Sequence, residues 1–382
     1  MGTLFHEETS LLHKAHDSSL SNSGDTDNDE PAVKVHSAKA PNLTTTAVVT
    51  SLYIISGCIQ PLLMTLLRTA GLADPSCQLY MLAYYCGPAS AIFMLWGKDK
   101  VSWPSKWTNL KACGIAFWDI SAQTLNYTGA SLAGPTIFAI VYSSVTIWAA
   151  LFSRAFLSRR MDRYQWMAVT LVFGGLALTA TDSGELGPSV IHGLIMVFLG
   201  SSMHGLFYVM SEAVMTTGDE RLSVEQNCAI QGLTATTVFL IWQLVYTLPN
   251  VEAKIWEPME HAGTSASMGL ALLVFFAAMS FLHSITFYHT LRYLSGGSTS
   301  AGVVKGLQAV LVFVFTHFLY CGHIGGTEMC FSAMKLMSLI TVSSGVFGYS
   351  VATNQNAKPG SRGKTDGYEQ IVADGVIDIE PI

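Results

Sequence analysis

MGLALLVFFAAMSFLHSITFYHT, residues 268–290, contains no Asp, Glu, Lys or Arg and, as a helix, is long enough to cross a hydrocarbon core of about 30 Å. Its apolar side chains follow one another without the polar stripe that a soluble helix keeps toward water. A backbone surrounded by lipid must satisfy its hydrogen bonds within its own segment, so the stretch reads as a membrane-spanning helix. Working outward, comparable runs fall at approximately 44–67, 77–97, 109–128, 134–154, 164–181, 190–213, 228–248, 298–320 and 331–352. Pro61 lies inside the first and predicts a kink, because it removes one backbone donor.

The composition agrees with this reading. Half of the 382 residues are hydrophobic, 12% are charged and the mean hydropathy is +0.40, whereas a soluble domain carries about a quarter charged residues. Outside the spans the chain changes character. Residues 1–43 hold the acidic, serine-rich stretch DSSLSNSGDTDNDEP (17–31), and residues 353–382 open with NQNAKPGSRGKTDG (354–367). Neither can bury enough apolar surface to order itself, so both read as disordered tails. The first residues, MGTLFHEETS, lack the apolar run of a signal peptide, and His6 stands where a myristoylation signal needs Ser or Thr.

Lys and Arg set the orientation. With the N-terminus in the cytosol, Lys98, Lys100, Lys106, Arg154, Arg159, Arg160, Arg163, Arg221 and Arg292 all fall on the cytosolic side, and only Arg68 and Lys254 fall opposite. Deleting one span from the count would move every later loop across the membrane and destroy the bias. Ten spans and two cytosolic tails follow as the expectation. Cys321 and Cys330 then bracket one lumenal loop, where an oxidising environment favours a disulfide. The other cysteines show no metal-ligand spacing and read as buried small hydrophobes, and neither a metal nor a cofactor is expected.

The third-to-fourth and eighth-to-ninth spans share a layout. YTGASLAGPTIFAIVYSSVTIWAALFSRAFL (127–157) sets over HTLRYLSGGSTSAGVVKGLQAVLVFVFTHFL (289–319) without a gap. Five spans per half force the halves, 44–182 and 183–352, into opposite orientations, the inverted-repeat plan of many secondary transporters. The fold class expected is therefore an all-α membrane protein of ten transmembrane helices, arranged as two inverted five-helix repeats.

With this plan, the basic link SRRMDRYQW (158–166) followed by VTLVFGGLALTATDS (169–183), and GVVKGLQAVLVF (302–313), the chain resembles the drug/metabolite transporter superfamily (EamA-like). Within it, the resemblance is to the nucleotide-sugar transporter branch, over about residues 44–352. Lys305-Gly306 looks like the lysine-glycine pair that lies in the substrate cavity of such carriers. Several relatives carry a second lysine on the fourth span, where this chain has YSSVTIW (142–148) with Ser143 and Ser144. The FYNN and GALNK signatures of the GDP-sugar branch are absent.

An ionisable group inside a span costs about 2.5–3.5 kcal/mol to insert and needs a partner, a wet cavity or a role. Lys305 is a candidate point charge for a substrate phosphate or carboxylate, against the alternative of a lysine that snorkels to the interface. Asp119 is a candidate counter-ion of Lys305, a proton-coupling carboxylate or a capped structural aspartate. Gln123, Asn126, Ser143, Ser144 and Gln308 are candidate cavity lining, since neutral donors grip hydroxyl-rich ligands without a charge penalty. His204 and His283 read as structural hydrogen-bonding residues, and Glu212 and Lys335 as interfacial anchors. Asn126-Tyr127-Thr128 is a glycosylation sequon expected to be unused, because it lies at the end of a span.

The function expected is secondary transport or exchange of a small polar anion across an endomembrane, with a proton-coupled drug, metabolite or amino-acid exporter as the alternative. A receptor or scaffold would explain the tails but not the inverted halves or the buried lysine, and no zinc-protease motif or second deep aspartate supports an enzyme. The partners are a small-molecule substrate and the bilayer, a homodimer is left open, and nucleic acid is not expected. In the tails, Glu7, Leu11 and Leu12 fit an acidic dileucine signal, while Tyr368 and Ile371, in GYEQI (367–371), resemble a lysosomal tail signal read by clathrin adaptors. A lysosomal or vacuolar membrane is expected, with the Golgi as runner-up.

Overall fold

The fold was obtained as a computed structural model, which describes residues 43–96, 102–133, 138, 141–142, 144–178, 188–322, 330 and 332–356. Glu7, Leu11, Leu12, Ser143, Tyr368 and Ile371 lie outside the described residues. The described residues are mostly helical, with turns and short links between the helices and no strand among them. In chain order the helices are α1 (Leu43–Thr69), α2 (Leu79–Ala89), α3 (Ile92–Leu95), α4 (Lys106–Ala133), α5 (Val145–Phe156), α6 (Arg163–Ala177), α7 (Pro188–Thr216) and α8 (Val224–Trp242). After α8 come α9 (Glu257–His261), α10 (Ala266–Tyr293), α11 (Gly297–Tyr320) and α12 (Ala333–Asn356). Pro61 sits within α1, which continues through it.

Among the described residues six helical stretches are long and apolar enough to cross a membrane: Leu43–Thr69, Ile191–Thr216, Val224–Asn250, Ala266–Tyr293, Gly297–Tyr320 and Leu336–Thr353. The protein is thus a multi-pass membrane protein. Leu79–Leu95 and Val145–Phe156 are apolar but shorter. Helix α4 has the length, yet Asp119, Gln123 and Asn126 interrupt its apolar character. Large apolar side chains face outward along these helices, among them Leu270, Val274, Phe318, Ile340 and Phe347, a surface that suits lipid and would aggregate in water.

Between helices, small residues let backbones approach, as is usual where no hydrophobic drive separates protein from lipid. Helices α6 and α12 form one such seam: a Cβ at Gly175 would press on Val342 and one at Gly345 would press on Val172. The polar centre of the molecule is bounded by other pairings, α4 on α7, α10 on α1, α2 on α8 and α10, and α5 on α11. Ser223 and Gln226 cap the start of α8 reciprocally, each side chain bonding the other's backbone N–H.

Candidate functional site

Lys305 lies on α11 two turns from its start and remains partly exposed. Its Nζ sits 3.4 Å from Nε2 of His283 on α10. Nδ1 of the same ring is 3.2 Å from the Ser56 hydroxyl on α1. His283 also stacks on Tyr53, with ring centroids 5.0 Å apart. Gln308, one turn beyond Lys305, donates its amide N–H to the Tyr53 carbonyl at 2.7 Å, leaving its Oε1 unpartnered. That close approach depends on Gly57, where any Cβ would overlap the Gln308 amide. Among the described residues no carboxylate pairs with Lys305.

Asp119 occupies a second nest on the α4–α7 seam. Its Oδ2 accepts a 2.7 Å hydrogen bond from the Tyr85 hydroxyl, and its Oδ1 is 3.2 Å from Nδ1 of His204. The latter contact is close but misaligned, so neither atom has a hydrogen-bond partner. Of the roles open to Asp119, the structure places His204 rather than Lys305 beside its carboxylate, brought there by the packing of α7 on α4. His204 in turn contacts Tyr142, Phe207 and Tyr208, and Tyr208 meets Phe287 at 4.6 Å between centroids. An aromatic wall therefore joins the two nests.

The remaining candidates divide. Asn126, on the same face of α4 as Asp119, is 1% exposed, and neither of its amide atoms has a partner among the described residues. Ser144 is buried with an unpartnered hydroxyl, and Gln123 is buried beside them. Buried polar atoms left in this condition are uncommon and are satisfied by water or a ligand. Thr146, by contrast, is consumed in packing, since its hydroxyl donates to the Gly302 carbonyl at 2.8 Å. Sequence reasoning missed the tyrosines. Their one visible signal is their recurrence within apolar spans, as in Tyr84-Tyr85 and Tyr208.

Glu212 also departs from expectation. It is not an interfacial anchor: its side chain is buried and held at 2.7 Å by Arg159, from the link after α5. The Ser298 backbone N–H, at the start of α11, donates to the same carboxylate at 2.7 Å. Arg159 further donates to the Gly296 carbonyl at 2.7 Å. The turn before α11 fits because Gly296 and Gly297 have φ of +90° and +46°, and a Cβ at Gly297 would overlap the Glu212 carboxylate.

At the other end, between α1 and α2, Lys254 pairs with Asp74 at 3.2 Å and donates to the Ser76 hydroxyl at 2.8 Å. Burial alone would push the Asp74 carboxyl up, but hydrogen bonds from Ser76 and Lys254 outweigh it and hold the carboxyl below its usual range. The stability this adds is present at neutral pH and is lost as pH falls through the depressed value. Cys321 and Cys330 form a disulfide with Cα atoms 4.7 Å apart, as their positions led us to expect. His317 lies beside them in a group of metal-ligand type, but both thiols are taken up in the bridge.

The architecture is that of a helical membrane protein with a polar, aromatic-walled centre, and known proteins narrow it. Residues 46–181 match the EamA-like transporter family, so a domain of that family is present in the first half of the chain. An uncharacterized protein of Schizosaccharomyces pombe is 25% identical over 103 residues, 26% of this chain and 32% of that protein. The match thus spans about a third of the curated relative's length. A solved structure described only as the crystal structure of a protein superposes with a TM-score of 0.56 at 12% identity, covering 83% of this chain and 100% of that one. That likeness concerns the fold alone.

Proposed function

We propose that the chain is a ten-span secondary transporter that carries a small polar anion, with a nucleotide sugar the leading candidate, across an endomembrane. Its halves would be residues 44–182 and 183–352, in opposite orientations. The observation that carries the reading is Lys305, an ammonium within the helix bundle whose described neighbours are a histidine and no carboxylate. A cation placed there at the cost of insertion calls for an anion from elsewhere. Gln308, one turn beyond Lys305, and the buried Ser144, Gln123 and Asn126 are the neutral donors and acceptors we assign to the substrate, with Ser143 in the same role.

The pairing of helices supports the inverted halves. Exchanging α1 with α7, α2 with α8, α4 with α10, α5 with α11 and α6 with α12 turns the α4–α7 contact into α10–α1, α2–α10 into α8–α4 and α5–α7 into α11–α1. The same exchange maps α2–α8, α5–α11 and α6–α12 onto themselves. Such a pattern suits a pseudo-two-fold axis through the centre, where transporters of this plan bind substrate.

Uptake of labelled UDP-glucose, GDP-mannose and amino acids into proteoliposomes tests the function. We expect nucleotide-sugar uptake that Lys305→Ala abolishes at unchanged protein abundance, with Lys335→Ala milder. Normal uptake by the Lys305 variant ends the assignment of that residue, and selective amino-acid uptake favours the exporter reading.

The address we infer is a lysosomal or vacuolar membrane, from Glu7, Leu11, Leu12, Tyr368 and Ile371, whose apolar side chains in open tails suit adaptor pockets. Replacing Leu11, Leu12 and Tyr368 together by Ala should move a fluorescent fusion to the cell surface. An unchanged distribution discards this address in favour of the Golgi.

A further inference from the structure

We propose that Asp119 and His204 together form the proton-binding site of this carrier, so that the substrate anion and one proton bind cooperatively. The inference rests on the reading of Lys305 as the anion site and adds the coupling ion to it.

Three observations carry it. The first is geometric: Asp119 Oδ1 and His204 Nδ1 lie 3.2 Å apart, both buried, and neither makes an aligned hydrogen bond. Two adjacent unsatisfied atoms of a carboxylate and an imidazole are a place where a proton can be added and shared. The second is position. The pair bridges α4 and α7, and exchange of the halves turns that seam into α10–α1, which His283 and Ser56 bridge beside Lys305. One seam thus adjoins the cation and the equivalent seam carries the acid. Both seams cross between the halves, the surfaces that must shift if the carrier alternates its access.

The third observation is charge. With one proton fewer, the pair bears the charge of a carboxylate, and Lys305 bears the opposite charge, so the empty centre is neutral as a whole. Adding a proton neutralises the pair and leaves Lys305 to be matched by the substrate. In a poorly screened interior that exchange favours anion and proton together. The proton comes from the water on the side to which the carrier is open. It is held as O–H on Asp119, beside Nδ1 of His204, and release on the far side breaks that bond. No electrons move.

The groups facing the pair are consistent with this role. Tyr84 and Tyr85 from α2, Tyr127 from α4, Tyr142 ahead of α5, Tyr208 from α7 and Tyr288 from α10 surround Asp119. Tyr53 from α1 meets Tyr208, Cys228 from α8 is within electrostatic reach of Tyr84 and Tyr288, and Glu225 from α8 is within that of His289. His283, which stands beside Lys305, is also within electrostatic reach of His204.

Two measurements on the full chain in lipid nanodiscs test the proposal. Infrared spectra of the substrate-free protein at successively lower pH should show a carboxyl C=O band that is missing in Asp119→Asn. A spectrum without that difference band overturns the proposal whatever the substrate is. UDP-glucose affinity should fall by about tenfold per pH unit on the alkaline side of this titration, because proton and anion affinities are linked reciprocally. In Asp119→Asn the profile should be flat, and in His204→Gln its midpoint should move. A wild-type affinity that ignores pH overturns the coupling. If the wild type does not bind UDP-glucose at all, the nucleotide-sugar reading fails, while the infrared titration still decides whether the pair takes up a proton.

Discussion

Arg159, Glu212 and Ser298 meet where the link after α5, the end of α7 and the start of α11 come together, and they bind these elements through one carboxylate. The carboxylate is buried, so its two donors are what make its charge tolerable there. Removing Arg159 leaves Ser298 alone to hold it, at a cost of about 2–3 kcal/mol after allowing for the partly exposed guanidinium. We expect Arg159→Ala to lower the thermal midpoint of the detergent-solubilised protein, and Glu212→Gln to lower it less, because the amide removes the charge along with the pairing. The reversed pair Arg159→Glu with Glu212→Arg should not recover the loss, since a guanidinium cannot accept from the Ser298 N–H. Full recovery by the reversed pair, read by tryptophan fluorescence on heating, would show that the charge pair alone matters and that the helix-start contact is incidental.

At the scale of elements, legibility followed from how far the deciding interactions reach along the chain. Helices α10 and α11 announce themselves as apolar runs, because insertion into lipid is a property of consecutive residues. The segment after α8 does not. The stretch 249–267 reads as a polar link, yet it holds helical turns at Leu248–Asn250, Glu252–Trp256 and Glu257–His261. Pro249 and Pro258 each sit in a first turn, where a missing N–H costs nothing. Lys305 was legible as a lone charge in an apolar run, and Asp119 for the same reason. The partner of Asp119 was not, because His204 reaches it only through the packing of α7 on α4. Glu212 was misread on similar grounds: one donor is an arginine in a link and the other is a backbone N–H, and backbone donors leave no mark in a sequence.

For the whole molecule, orientation can be argued from two independent ends of one helix. Gly296, at the start of α11, is bonded by Arg159 of the basic link, and Cys321, just past its end, closes the disulfide with Cys330. The 24 residues of α11 span about 36 Å at 1.5 Å per residue, enough to place its two ends on opposite faces of a bilayer. Basic residues collect on the cytosolic face and disulfides persist on the oxidising one. On the proposed ten-span reading both rules put the Arg159 end in the cytosol and the Cys321 end in the lumen, and both chain termini would return to the cytosol. In sealed endomembrane vesicles with the cytosolic face outward, added protease should remove tags from both termini. After reduction, a membrane-impermeant maleimide should label Cys321 and Cys330 only once the vesicles are opened. A protected tag at one terminus would mean an odd number of crossings and would break the five-plus-five plan, whereas labelling of both cysteines in sealed vesicles would keep the plan and invert the molecule.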